Sequence, residues 1–189
     1  MTDNTPVAGD ESVGVDPAAT DENLTAALLE IEHHVVHGGW DAPARLFALV
    51  PTAELLRAEP SLAPQVARPD DLPDGALSSI EQDGFHAGDD VLDALARISW
   101  PASVAGVALS LERTFLPSEL EGDLPEDPGD AAAFVAEHPS RQDVRVVVGV
   151  TRAGARHGLA RLRATPEDLL GGRDLVPGLA DALATTLTD

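Results

Sequence analysis

The chain has 189 residues, enough for one domain with a substantial core, and carries a formal net charge of -21. Cysteine is absent, which excludes disulfides, thiol catalysis and cysteine-ligated metal sites. Such acidity repels phosphate backbones and anionic lipids, so it argues against nucleic-acid or membrane-surface binding.

Residues 1–21, "MTDNTPVAGDESVGVDPAATD", are acidic and rich in Gly, Pro and Ala without periodicity, and read as a disordered leader to a single domain over 22–189. They hold neither a basic region nor an apolar run of signal-peptide type. Asp21 or Asn23 is placed to cap a first helix, in which Leu24, Ala27, Leu28, Ile31 and Val35 recur on one face. Gly38-Gly39 ends it. "RLFALVP" (45–51) reads as a strand, and Thr52 as the cap of a short helix closed by Pro60. A loop with a helical turn near "SLAPQVA" follows, then a candidate strand at "ALSSIEQ".

Asp89 or Asp90 caps the next helix, which carries Val91, Leu92, Leu95 and Ile98 and stops at Trp100-Pro101. "SVAGVALSLERTFLP" has strand character, with Val107, Leu109 and Leu111 on one face. Residues 118–130 form an acidic, flexible loop before a short helix at "AAAFVAEH". "DVRVVVGVTRAGARHGLARLRA" is the clearest strand pair, turning at Ala153-Gly154. Thr165-Pro166-Glu167-Asp168 is expected to open a helical turn. Val176, Leu179, Leu183 and Leu187 define an amphipathic C-terminal helix.

This order predicts an α+β fold, two-layered, with a mostly antiparallel sheet and helices on one face. At the level of fold alone it is similar to small acidic secretion-chaperone-like domains, an analogy that carries no function. Neither GxGxxG nor GxxxxGK[ST] occurs, and no run of roughly 18 apolar residues is present to span a membrane. A cytoplasmic protein without membrane insertion is the expectation.

"EIEHHVVHGGWD" (30–41) gathers three of the six histidines. At about 100° per residue, His33, His37 and Glu30 fall together opposite the apolar stripe, whereas His34 borders it. His33 and His37 stand at i and i+4, a zinc-gripping spacing, and Glu30-x-x-His33 matches a di-iron helix. Both patterns are incomplete. "HHVVH" lacks the glutamate of HExxH, and no second ExxH exists, although His138 or a distant carboxylate could complete a site. Histidines near a helix C-terminus also have a structural role, through the last carbonyls and the dipole.

All twelve basic residues are arginine, as expected of a GC-rich genome, and six lie within 141–163 against Asp143 alone. That segment nets +5, whereas residues 1–140 net -22 and residues 164–189 net -4. Arg145, Arg152, Arg156, Arg161 and Arg163 could grip a carboxylate, a phosphorylated ligand or an acidic protein surface. Equally, they could neutralise the chain's own acids. No GxSxG elbow or DxDxDG calcium loop occurs, so no catalytic residue is assigned. Trp40 and Trp100 read as core anchors.

Taken together, "LLEIEHHVVHGGWDAPARLFALVPTAELL", "SSIEQD", "LARISWPASVAGVALSLERTFLP" and "HPSRQDVRVVVGVTRAGARHGLARLR" resemble a family of uncharacterised actinobacterial proteins, over about residues 24–187. The resemblance implies a bacterial, cytoplasmic origin and supplies no catalytic residues. The leading expectation is a non-enzymatic protein-binding, adaptor or chaperone-like domain with no cofactor, open to homodimerisation and docking its partner through the five arginines. The alternative is a metal-binding protein or metal-dependent hydrolase using Glu30, His33 and His37. A purely structural domain is the third reading.

Overall fold

A computed structural model describes residues 17–66, 72–88, 90–116, 120, 124–125 and 127–188. Helix α1 (Pro17–Val36) leads into strand β1 (Arg45–Pro51), helix α2 (Thr52–Ala58) and a 3-10 turn (Pro60–Gln65). Strand β2 (Leu77–Glu81), helix α3 (Val91–Leu95), strand β3 (Gly106–Phe115) and helix α4 (Pro128–Glu137) follow. Strands β4 (Gln142–Thr151), β5 (Arg156–Leu162) and β6 (Leu169–Gly172) precede helix α5 (Pro177–Thr186). The strands form one sheet in the order β2-β1-β3-β4-β5-β6, and every neighbouring pair is antiparallel. The protein is thus α+β, with an antiparallel sheet.

The layers differ from the expected one-sided packing. In β4, consecutive valines point to opposite faces. Val146, Val148 and Val150 join Leu46, Leu109 and Leu183 in one core, and Val147 joins Leu28, Phe47 and Leu159 in the other. A central strand apolar on both faces needs cover on both. Helix α1 covers one face through Leu24, Ala27, Leu28, Ile31 and Val35. Helices α3 and α5 cover the other through Val91, Leu95, Leu179 and Leu183. The sheet is therefore the middle of three layers, which corrects the two-layer expectation.

Close approach of α1 depends on Gly149. A Cβ there would lie 2.7 Å from Leu28 Cδ2 and 3.1 Å from Leu24 Cδ1. At the β3 edge of the hairpin turn, Gly106 is tighter still, with the Val150 carbonyl oxygen 2.6 Å from a built Cβ.

Four further differences have local causes. Helix α1 starts at Pro17, inside the stretch expected to be a leader, where Pro and two alanines suit a first turn; residues 1–16 lie outside the described residues. Thr52 does not cap α2, and its hydroxyl pairs instead with Ser78 Oγ at 2.9 Å. Asp90 caps α3, accepting from Leu92 and Asp93 N–H, yet α3 ends at Leu95, short of Ile98. After Thr165 the chain makes a single turn and then β6, because the outer edge of β5 offers a ladder that local propensity does not register. Residues 118–119, 121–123 and 126 of the expected acidic loop lie outside the described residues, and α4 takes up its end.

Candidate functional site

β2 is an edge strand. Thr52 N–H donates to the Ala76 carbonyl and Gln82 N–H to that of Leu46, both at 2.8 Å, which makes the even-numbered residues the hydrogen-bonded partners of β1. The backbone N–H and C=O groups of Leu77, Ser79 and Glu81 consequently point away from the sheet, and no described strand pairs with them. Beside them lies a groove of about 680 Å³, walled by Asn23, Ala27 and Glu30 of α1 and by Leu55, Leu62 and Val66.

The walls are tied to the strand. Asn23 Nδ2 donates to the Asp74 carbonyl at 2.8 Å, holding the turn that enters β2. Gly75 in that turn has φ +77 and sits so close to Asn23 that a Cβ would be 3.0 Å from its amide nitrogen. At the other end, Arg45 Nε donates to Glu81 Oε1 at 2.6 Å, and Arg45 Nη2 donates to His34 Nε2 at 2.8 Å. Hydrogen bonding from Arg45 holds the Glu81 carboxyl below the usual carboxylate range, and Glu81 raises Arg45 in return. Glu30 is exposed and forms no ion pair among the described residues.

A second cluster forms where α1 ends over the hairpin. Period-two alternation puts Arg145, Arg161 and Arg163 on the α1 face, in line with Val147 and Leu159. Arg161 Nε donates to Glu32 Oε1 at 2.6 Å, and Glu32 is itself buried. That hydrogen bond raises the Arg161 pKa. Arg145 donates to Glu112 Oε1 at 2.7 Å through Nη2 and to the Gly39 carbonyl, and stacks over Trp40 with its carbon 4.5 Å from the ring centre. Arg163 lies 5.5 Å from the same ring and donates to both Asp41 oxygens at 3.2 and 3.3 Å. Asp41 has φ 65 and donates its own N–H to Glu112 Oε2 at 2.7 Å, so the network holds its left-handed conformation.

The remaining hairpin arginines serve other ends of the molecule. Arg152 donates to the carbonyls of Val104, Trp100, Pro101 and Leu187, fastening the end of α5 to the loop before β3. Arg156 pairs with Asp181 of α5. Side-chain exposure is 4% for Arg145 and 17% for Arg161, against 36% for Arg156 and 44% for Arg163.

Among the histidines, His37 Nδ1 bonds the His33 carbonyl at 2.7 Å and the two rings meet edge to face at 4.7 Å. Glu30 faces the groove instead. No group of three or more His, Asp or Glu side chains among the described residues is arranged to hold a metal ion. His138 bonds the Ser140 N–H near α4, and Trp100 donates to Thr186 Oγ1 at 3.1 Å while packing on the α5-side core.

Sequence reasoning missed two of these parts. Glu32 lies near 80° on the α1 wheel, at the margin of the apolar stripe, where a charge signals a buried partner. The open edge of β2 had no local signal, because it depends on which strand β1 takes as its second neighbour.

The fold and this groove define an antiparallel α+β protein whose edge strand β2 is paired on its outer side by no described strand. Residues 24–188 match the family model described as PPA1309-like protein, and the chain belongs to that family. No curated protein and no solved structure matches it. No helix among the described residues is long and apolar enough to cross a membrane.

Proposed function

We propose that the protein is a non-enzymatic binding module of adaptor type, which takes an extended stretch of a partner protein as a seventh strand on β2. The observation that carries this reading is the outward-facing backbone of Leu77, Ser79 and Glu81 beside the groove. Strand addition draws its affinity from main-chain hydrogen bonds and its selectivity from alternate side-chain pockets. A protein partner also suits the charge, which disfavours nucleic acid. The arginine-only base composition fits a GC-rich, actinobacterial source.

Proline discriminates between the two edges of a strand. Ser79→Pro removes only an outward N–H, so it should leave the β1–β2 ladder and the fold intact. Seven-residue random peptides displayed on phage should be enriched by the wild-type protein and not by Ser79→Pro. Equal enrichment by a correctly folded Ser79→Pro protein would refute strand addition. The arginine hairpin is a second docking surface under the same reading, tested at Arg156 and Arg163, whose side chains are 36% and 44% exposed. Selection unchanged by the double alanine variant of these two would remove it.

A further inference from the structure

We infer that the segment taken by the β2 groove is cationic, with basic and apolar side chains in alternation; the inference rests on the strand-addition reading above. An added strand presents successive side chains to opposite faces of the sheet. On the α1 side those side chains meet Asn23 and the carboxylate of Glu30, which forms no ion pair among the described residues, and Ser79 lies beside them. Exposed Ile80 points to the opposite face of β2, and Leu55 and Leu62 add apolar surface to the same groove. An incoming strand therefore finds a carboxylate and an amide beside Ser79, and hydrocarbon at Ile80, Leu55 and Leu62.

The surrounding field has the same sign. Residues 17–81, which supply every wall of the groove, carry eleven acids against three arginines. Neither described arginine of this stretch, Arg45 or Arg57, lines the groove, and Arg45 is already paired with Glu81. A basic segment is thus steered toward the edge and paired there, whereas an acidic one is repelled. A second copy of this chain would bring an equally acidic edge, so self-pairing at β2 is opposed by like charge.

The test uses three fluorescein-labelled, capped hexapeptides: alternating Lys-Val, its block isomer with three Lys followed by three Val, and alternating Glu-Val. Anisotropy titrations at 150 mM salt should show alternating Lys-Val binding at least about tenfold tighter than either of the other two. Glu30→Gln should weaken only the Lys-Val peptide, by about two- to fivefold. Ser79→Pro should abolish its advantage over the block isomer.

The failures separate. If Ser79→Pro binds alternating Lys-Val as the wild type does, strand addition itself is wrong. If it abolishes binding while the wild type takes Lys-Val and Glu-Val equally, strand addition stands and the charge inference falls. Equal binding of the alternating and block Lys peptides, with affinity collapsing in salt, would reduce the effect to bulk polyanion attraction and overturn the inference. Concentration-dependent dimerisation lost in Ser79→Pro would make the occupant a second copy instead.

Discussion

Arg145→Ala tests whether the hairpin arginines hold the fold together. The guanidinium is 4% exposed, bonded to Glu112 Oε1 at 3.1 and 2.7 Å through Nε and Nη2, bonded to the Gly39 carbonyl, and stacked on Trp40. Removing one member of a buried pair costs about 3–5 kcal/mol, because the other charge is left behind. Glu112 is 17% exposed and keeps the Asp41 N–H, which places the loss toward the lower end. The stack on Trp40 adds about 0.5–2 kcal/mol. A loss of about 3.5–5 kcal/mol follows, a large share of the roughly 5–15 kcal/mol that holds a domain. Urea unfolding followed by far-UV circular dichroism measures it, and a red shift of Trp40 emission should accompany it. Arg163→Ala, on the open side of the same ring, should cost much less. Arg145→Met with Glu112→Leu should recover part of the loss, since both charges then leave. A single-mutant loss below about 1 kcal/mol would refute the reasoning, since that is the scale of a solvated surface pair.

Three other predictions follow from packing and charge. Gly149→Ala should cost about 1–3 kcal/mol in the same urea assay, by driving a methyl group into Leu28 and Leu24 under α1. Because Arg45 depresses the Glu81 carboxyl, that pair stabilises the fold above the ordinary carboxylate range and ceases to as pH falls through the lowered pKa of Glu81. Glu81→Gln should therefore be less stable than the wild type at neutral pH and converge with it in acid, as urea midpoints across pH will show. Arg152→Ala should speed amide exchange at the end of α5, where Arg152 holds the Leu187 carbonyl, while leaving α1 protected.

Where one chain segment held the whole signal, the sequence could be read directly. The apolar stripe of α1 returned the buried set from Leu24 to Val35, and the valine run flanking Ala153-Gly154 returned β4 and β5. The α+β class followed from that order. The layering did not, because "RVVVGV" reads as a strong strand without saying that both of its faces need helices. β6 was hidden for a similar reason: "LLGG" has little strand propensity of its own, and pairs because β5 is next to it. At the candidate site, Glu30 stood out on the exposed face of α1, but its neighbours across the groove come from α2, the 3-10 turn and β2. No spacing within one segment could join them.

The arginines connect these levels. An island of positive charge in an acidic chain invites the idea of an external anionic partner, and in the fold much of that charge meets the protein's own acids. Glu32, Glu112, Asp41 and Asp181 each pair with an arginine of the hairpin, and Arg152 takes four carbonyls. Pairing leaves the net charge at -21 while concentrating the positive share near α1 and α5, so the unpaired excess on the rest of the surface is acidic. A partner approaching from solution meets that excess first, as the groove beside β2 does with Glu30. On this argument the groove proposed beside β2 is cation-seeking, the opposite of what the most conspicuous sequence feature suggests. The Lys-Val and Glu-Val peptides place that inversion under direct test, and a tighter fit of the acidic peptide would reverse it.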